Sequence, residues 1–145
     1  CYLNLVNQFN INMTNKSKKI LADISVGELL DKISILEIKL EKVIDKNNLN
    51  QIKKEHTMLK ETQNASMEFN DEIQKIFNSL KIINLVLWNT EDKIRICEKN
   101  KDFGENFINL AREVYVNNDK RAKIKSQINK ISGSNITEIK QYVDY

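Results

Sequence analysis

One stretch of this chain restricts its fold more than any other. From Ile73 to Cys97, apolar residues recur at alternating steps of three and four: Ile73, Ile76, Leu80, Ile83, Leu87, Ile94 and Cys97. Only Thr90 breaks the row. This is a heptad seam, the pattern of a long helix packed along its length against another. The chain of 145 residues contains no proline and only three glycines, Gly27, Gly104 and Gly133. A β-sandwich or a doubly wound sheet needs many more turns than so few breakers allow. The fold expected is therefore all-α: an antiparallel helical bundle of about four helices with a long helix 3–helix 4 hairpin.

Punctuation sets the helices. Ser25-Val26-Gly27-Glu28 reads as a capping box with Ile24 as its hydrophobic staple, opening helix 1 from about Val26 to Asp45. Its seam is Leu29, Ile33, Leu36, Leu40 and Val43. A second row, Leu30, Ile35, Ile38 and Ile44, widens the apolar face enough for more than one neighbour. Helix 2 is expected from about Leu49 to Glu61, with His56 on its apolar stripe and a loop at Gln63–Ser66. Helix 3 follows from near Glu68 to near Lys101. Asp102-Phe103-Gly104 makes the hairpin turn, with Gly104 expected at positive φ. Helix 4 spans about Glu105–Ser132 and stops at Gly133. Counting out from the turn brings Thr90 near Tyr115 and Leu87 near Asn118. The segment Ser134–Tyr145 is expected to fold back on the bundle.

Residues 1–18 lack both the basic start and the apolar run of a signal peptide. They are read as a disordered or adventitious tail, with Met13 as a candidate natural start, before a single helical domain of residues 19–145. No stretch has the ~20 consecutive apolar residues of a membrane span. Two cysteines make no disulfide framework, so a reducing, cytoplasmic setting is expected. One histidine and no clustered cysteines argue against a zinc site, and no cofactor motif is present.

The chemistry expected is a polar belt crossing two apolar seams. Helix 3 contributes Trp88, Glu91, Asp92 and Arg95. Helix 4 contributes Arg112, Tyr115, Asn118, Asp119 and Arg121, and helix 1 contributes Glu28, Asp31, Lys32, Glu37 and Lys39. Two structural readings compete with a functional one. Glu28/Lys32 and Glu91/Arg95 fit ordinary i,i+4 surface pairs, each worth about 0.3–0.5 kcal/mol. Asn117 and Arg121 fit buried polar residues that fix helix register. In the functional reading, Lys32, Trp88, Arg95, Arg112, Tyr115, Asn118, Asp119 and Arg121 bind a ligand. Arginines there clamp a carboxylate or phosphate, and Trp88 or Tyr115 forms a wall. Glu91 and Asp92 are then the candidate acid or base. His56, Cys97 and Trp88 are read as packing residues. The basic run Lys120–Lys125 reads as a solvated helix face, since no aromatic platform accompanies it; nucleic acid is not the expected partner.

Four stretches carry a resemblance: SVGELLDKISILEIKLEKV, LWNTEDKIRICE, DFGENFINLAREVYVNNDKRAKIKSQIN and YVDY. From about Ile20 to Tyr145 the chain resembles a bacterial domain-of-unknown-function family of small helical proteins. That family usually has Pro where this chain has Val26; the exchange loses only rigidity at the first helical position. The motif positions implied are Glu28, Asp31, Lys32, Glu37, Lys39, Trp88, Glu91, Asp92, Arg95, Arg112, Tyr115, Asn118, Asp119 and Arg121. Association of such proteins with cell-surface polysaccharide assembly implies an accessory role and assigns no chemistry.

Two functions from different classes fit. The first is a non-enzymatic helical module that binds a protein partner or a second copy of itself. The second is a small-molecule site, or an enzyme, for an anionic metabolite or activated sugar.

Overall fold

The computed structural model describes residues 20–145, and the expectations for residues 1–18 lie outside them. Four helices follow in order: α1 (Val26–Lys42), α2 (Lys46–Ser66), α3 (Asp71–Asn100) and α4 (Glu105–Ser132). There is no strand among the described residues. The all-α expectation holds, and the α3–α4 hairpin is the most extensive pairing.

Side-chain oxygens fix the starts of three helices. Ser25 Oγ accepts the Glu28 N–H at 3.1 Å and opens α1. The return bond of a capping box is absent, because the Glu28 carboxylate is turned to Lys125 Nζ at 2.6 Å. Asp45 ends no helix; it caps α2 by accepting the Asn48 N–H at 2.8 Å, so α1 stops three residues short of its predicted end. Ile44 is thereby left in the turn, exposed rather than in the second apolar row. The expected loop at Gln63–Ser66 is the last turn of α2. Gln63 is buried there and accepts from Lys60 Nζ at 2.6 Å, so tertiary contact outweighs weak local propensity. The break falls instead at Met67–Asn70, where Asn70 caps α3 through the Ile73 N–H at 3.0 Å.

The α3–α4 turn corrects a second expectation. Lys101, not Gly104, takes the left-handed conformation, at φ 55°. Asp102 N–H reaches back to the Cys97 carbonyl at 3.0 Å, the long bond of a Schellman ending. That motif places its left-handed residue directly after the helix, and the residue there is Lys101. Gly104 sits at φ −75° as the N-cap of α4. Gly133 behaves as expected, at φ 65° after α4.

Two contacts fix the hairpin register: Asn106 Nδ2 lies 3.6 Å from Cys97 Sγ, and Thr90 Oγ1 donates to Glu113 at 3.2 Å. Thr90 thus stands two residues along from its predicted neighbour Tyr115. The buried row of α3 is Ile73, Phe77, Leu80, Asn84, Leu87, Thr90 and Cys97. Phe77 and Asn84 replace the predicted Ile76 and Ile83, which are half-buried. The reason is α1, which packs on α2, α3 and α4 alike and extends the buried face of α3 toward itself. Leu29, Leu30 and Ile33 of α1 join Ile73, Phe77, Leu80 and Ile128 in one core. Each such side chain contributes about 1.5–3 kcal/mol on burial.

Candidate functional site

The face that α1 turns to the hairpin is unusual for a central helix. Gly27, Asp31, Ser34 and Ile38, at steps of four, three and four, are all buried. Small and polar residues on this stripe let α1 and α4 approach closely. A Cβ on Gly27 would lie 2.6 Å from the Lys125 carbonyl oxygen, inside any permitted contact. The Gly27 N–H instead donates to Asn129 Oδ1 at 2.6 Å, and the Val26 N–H donates to Ser134 Oγ at 3.2 Å. With Ser25 taking the Glu28 N–H, three unpaired donors of the first turn are satisfied, two of them from across the bundle.

One turn on, Asp31 is 1% exposed and held by three helices. Arg121 of α4 grips it through both carboxylate oxygens, with Nε donating to Oδ1 at 2.9 Å and Nη2 to Oδ2. Asn84 of α3 donates to Oδ1 at 2.9 Å and to Ser34 Oγ at 2.7 Å. Ser34 Oγ in turn donates to the Asp31 carbonyl at 2.8 Å. Asn118 accepts from Arg121 Nη1 at 3.4 Å. Beside this pair stands Lys125, whose side chain is only 9% exposed. Its ammonium lies 2.6 Å from Glu28, 3.3 Å from Glu138 and 3.9 Å from Asp31.

The pKa shifts follow from this geometry. The hydrogen bonds to Asp31 hold the Arg121 guanidinium above its already high value. Burial pushes the Lys125 ammonium down, and Glu28, Asp31 and Glu138 more than reverse it. Slight burial raises Glu138, but Lys125 and then Lys140 leave it below the usual carboxylate range. Glu28, Asp31 and Glu138 stand against Arg121, Lys125 and Lys140, so Arg121 and Lys125 are both matched from within the chain. This cluster can fix helix register; as it stands it offers no vacant cation to an anion.

The predicted site residues divide into separate groups. Arg121 and Asn118 belong to the buried network. Asp119 accepts the Tyr145 hydroxyl at 2.7 Å, and the Tyr145 ring stands edge-on to Tyr115 with centroids 5.2 Å apart. Glu91 and Arg95 pair with each other at 3.1 Å on an exposed face of α3. Trp88 is half-buried, while Lys32, Asp92 and Arg112 are exposed. Arg121 is therefore engaged by Asp31, Arg95 by Glu91, and Arg112 faces solvent.

Sequence reasoning missed Asn84, Ser34, Asn129 and Glu138, and placed Lys125 on a solvated face. A signal existed in the steps of four from Arg121 through Lys125 to Asn129, answering Gly27, Asp31 and Ser34. His56 sits at the α2–α1 contact with Nε2 shut off from solvent and unbonded, 3.9 Å from Glu37. Glu37 is itself 3.1 Å from Lys81.

Clefts open on the surface of the described residues. One of about 900 Å³ lies between α4 and the segment Thr137–Tyr145. Another, about 650 Å³, lies at the bundle end between Ile24, Met67, Ile131 and Ile136. Among the described residues, no His, Cys, Asp and Glu side chains group to hold a metal ion. No described helix is long and apolar enough to cross a membrane.

In comparison with known proteins, the model of a family described as a family of unknown function (DUF6165) matches residues 20–144. No curated protein and no solved structure matches the chain.

Proposed function

The chain belongs to the family of unknown function DUF6165, and from that premise we propose that it is a helical interaction module. The observation that carries this reading is the bare end of the α3–α4 hairpin. The hydrogen bonds between α1 and the hairpin fall at Asn84, Asn89, Arg121 and Asn129, with Lys81 and Lys125 between them. From Thr90 to Val116 only Thr90, Cys97 and Leu110 are buried. The last eleven residues of α3 rise about 16 Å beyond Asn89 as half of a two-helix arm. Ile96, Phe103 and Ile108 are exposed on that arm. Two helices alone cannot bury a seam on all sides, and exposed apolar groups on a projecting arm suit a protein contact.

The simplest partner is a second copy. A two-fold pairing of arms would cover these apolar groups with their own counterparts. An accessory role in cell-surface polysaccharide assembly, in the cytoplasm, suits such a module; the buried free Cys97 suits a reducing compartment. Sedimentation over a range of concentrations tests the reading. The native chain should associate, and Ile96→Ser with Ile108→Ser should weaken association at least tenfold, or about 1.4 kcal/mol. A native chain that stays monomeric at the highest concentrations, matching the variant, overturns it.

A second reading, a site for an anionic small molecule, is favoured by one observation. The larger cleft is lined by Lys120 and Lys123, and neither forms an ion pair among the described residues. Titration with inorganic pyrophosphate tests it: saturable binding lost in Lys120→Ala/Lys123→Ala supports it, and no binding removes it.

A further inference from the structure

The segment Ser134–Tyr145 has no regular secondary structure, yet it is anchored at three points, one on the start of α1 and two on α4. Ser134 Oγ accepts from Val26 N–H, Glu138 reaches Lys125 at 3.3 Å, and the Tyr145 hydroxyl donates to Asp119 at 2.7 Å. Between the last two anchors the strap stands away from the helix. Seven residues of extended chain can span about 23 Å. Asp119 and Lys125, six residues apart on α4, are separated by only about 9 Å along the axis. The slack bows outward, leaves the cleft of about 900 Å³ beneath, and turns Ile139 and Val143 to solvent, 90% and 89% exposed. The strap is thus held by polar anchors and not by apolar burial. Gly133, at φ 65°, is the hinge from which it leaves α4.

We infer that the outer face of α4 is a peptide-recognition groove, occupied here by the chain's own strap. Its ligand is an extended acidic peptide carrying a carboxylate and, seven residues on, a tyrosine. The strap shows what fits. Lys125 takes the carboxylate, a charge-assisted contact strengthened by its low exposure. Asp119 takes the phenol hydroxyl, and Tyr115 packs edge-on against the ring. Lys120 and Lys123 line the groove between these anchors and favour further acidic residues. Tethering gives the strap a high effective concentration, so it competes with any peptide in trans and sets the threshold for binding. This groove is separate from the apolar arm and does not depend on that reading.

The test uses the full chain. A fluorescent synthetic peptide of residues 134–145 is titrated into the native protein and into Glu138→Gln/Tyr145→Phe, whose own strap has lost its two far anchors. The peptide should bind the variant at least tenfold more tightly than the native protein. Asp119→Asn, added to the variant, should weaken it again, and a peptide with the same two replacements should not bind. Helical circular dichroism confirms that each variant is folded. Equal or absent binding to both chains overturns the inference. So does polyglutamate binding as well as the peptide, since charge alone would then explain the contact.

Discussion

Asp31 is a carboxylate almost wholly withdrawn from water, and its cost is offset only by the partners gathered round it. Asp31→Asn leaves Arg121 facing a neutral amide. It should lower unfolding free energy by about 3 kcal/mol in a urea titration. Gly27→Ala acts by another route, because the added methyl meets the Lys125 backbone, which cannot swing aside as a side chain can. A loss of about 1–3 kcal/mol is expected, with the α1–α4 crossing loosened first. Tyr145 gives a spectroscopic handle on the strap. Its hydrogen bond to Asp119 and the nearby negative charge push its pKa up to about 12. A raised folded-state pKa means that this contact stabilises below the ordinary tyrosine value near 10 and is lost as pH climbs from there toward about 12. Ultraviolet titration of phenolate absorbance should show one late-ionising tyrosine, returned to the ordinary range by Asp119→Asn.

Among the elements, the α3–α4 turn holds the clearest local strain. Lys101 adopts φ 55° where glycine is the usual occupant. Lys101→Gly should raise stability by about 0.5–1 kcal/mol. Gly104→Ala should be tolerated, since its φ is ordinary and the nearest contact of an added Cβ is 3.4 Å. The peripheral helix is α2, which packs on α1 alone among the helices and buries only Gln63. Its amides should exchange by local opening before those of α1. These elements also mark what could be read from the chain beforehand. Periodicity exposed α3 and α4 because a heptad reports a long helix whatever surrounds it. Gly133 and Ser25 were legible because their backbone roles are local. The end of α2 was not, because burial of Gln63 is a tertiary fact. Phe77 and Asn84 were likewise hidden, since their burial depends on where α1 lies. Arg121 could be marked as a buried polar residue from its seam position, but its partner Asp31 lies ninety residues away on another helix.

Taken whole, the molecule has two unlike ends. At one, α1, α3 and α4 are drawn together by the core around Leu30 and Ile33 and by the ion-pair network beside it. At the other, the hairpin runs on without α1 or α2 and leaves its apolar groups uncovered. The charged residues near the centre serve cohesion; in the functions proposed above, contact with other molecules falls to the arm and the strap. A double-mutant cycle on Asp31→Asn and Arg121→Met, read by chemical denaturation, tests that division most directly. A coupling energy of about 2–3 kcal/mol is expected, with Arg121→Met destabilising when made alone. Coupling within about 0.5 kcal/mol of zero, with Arg121→Met leaving stability unchanged, would contradict it and return Arg121 to the solvent as a residue for binding something else.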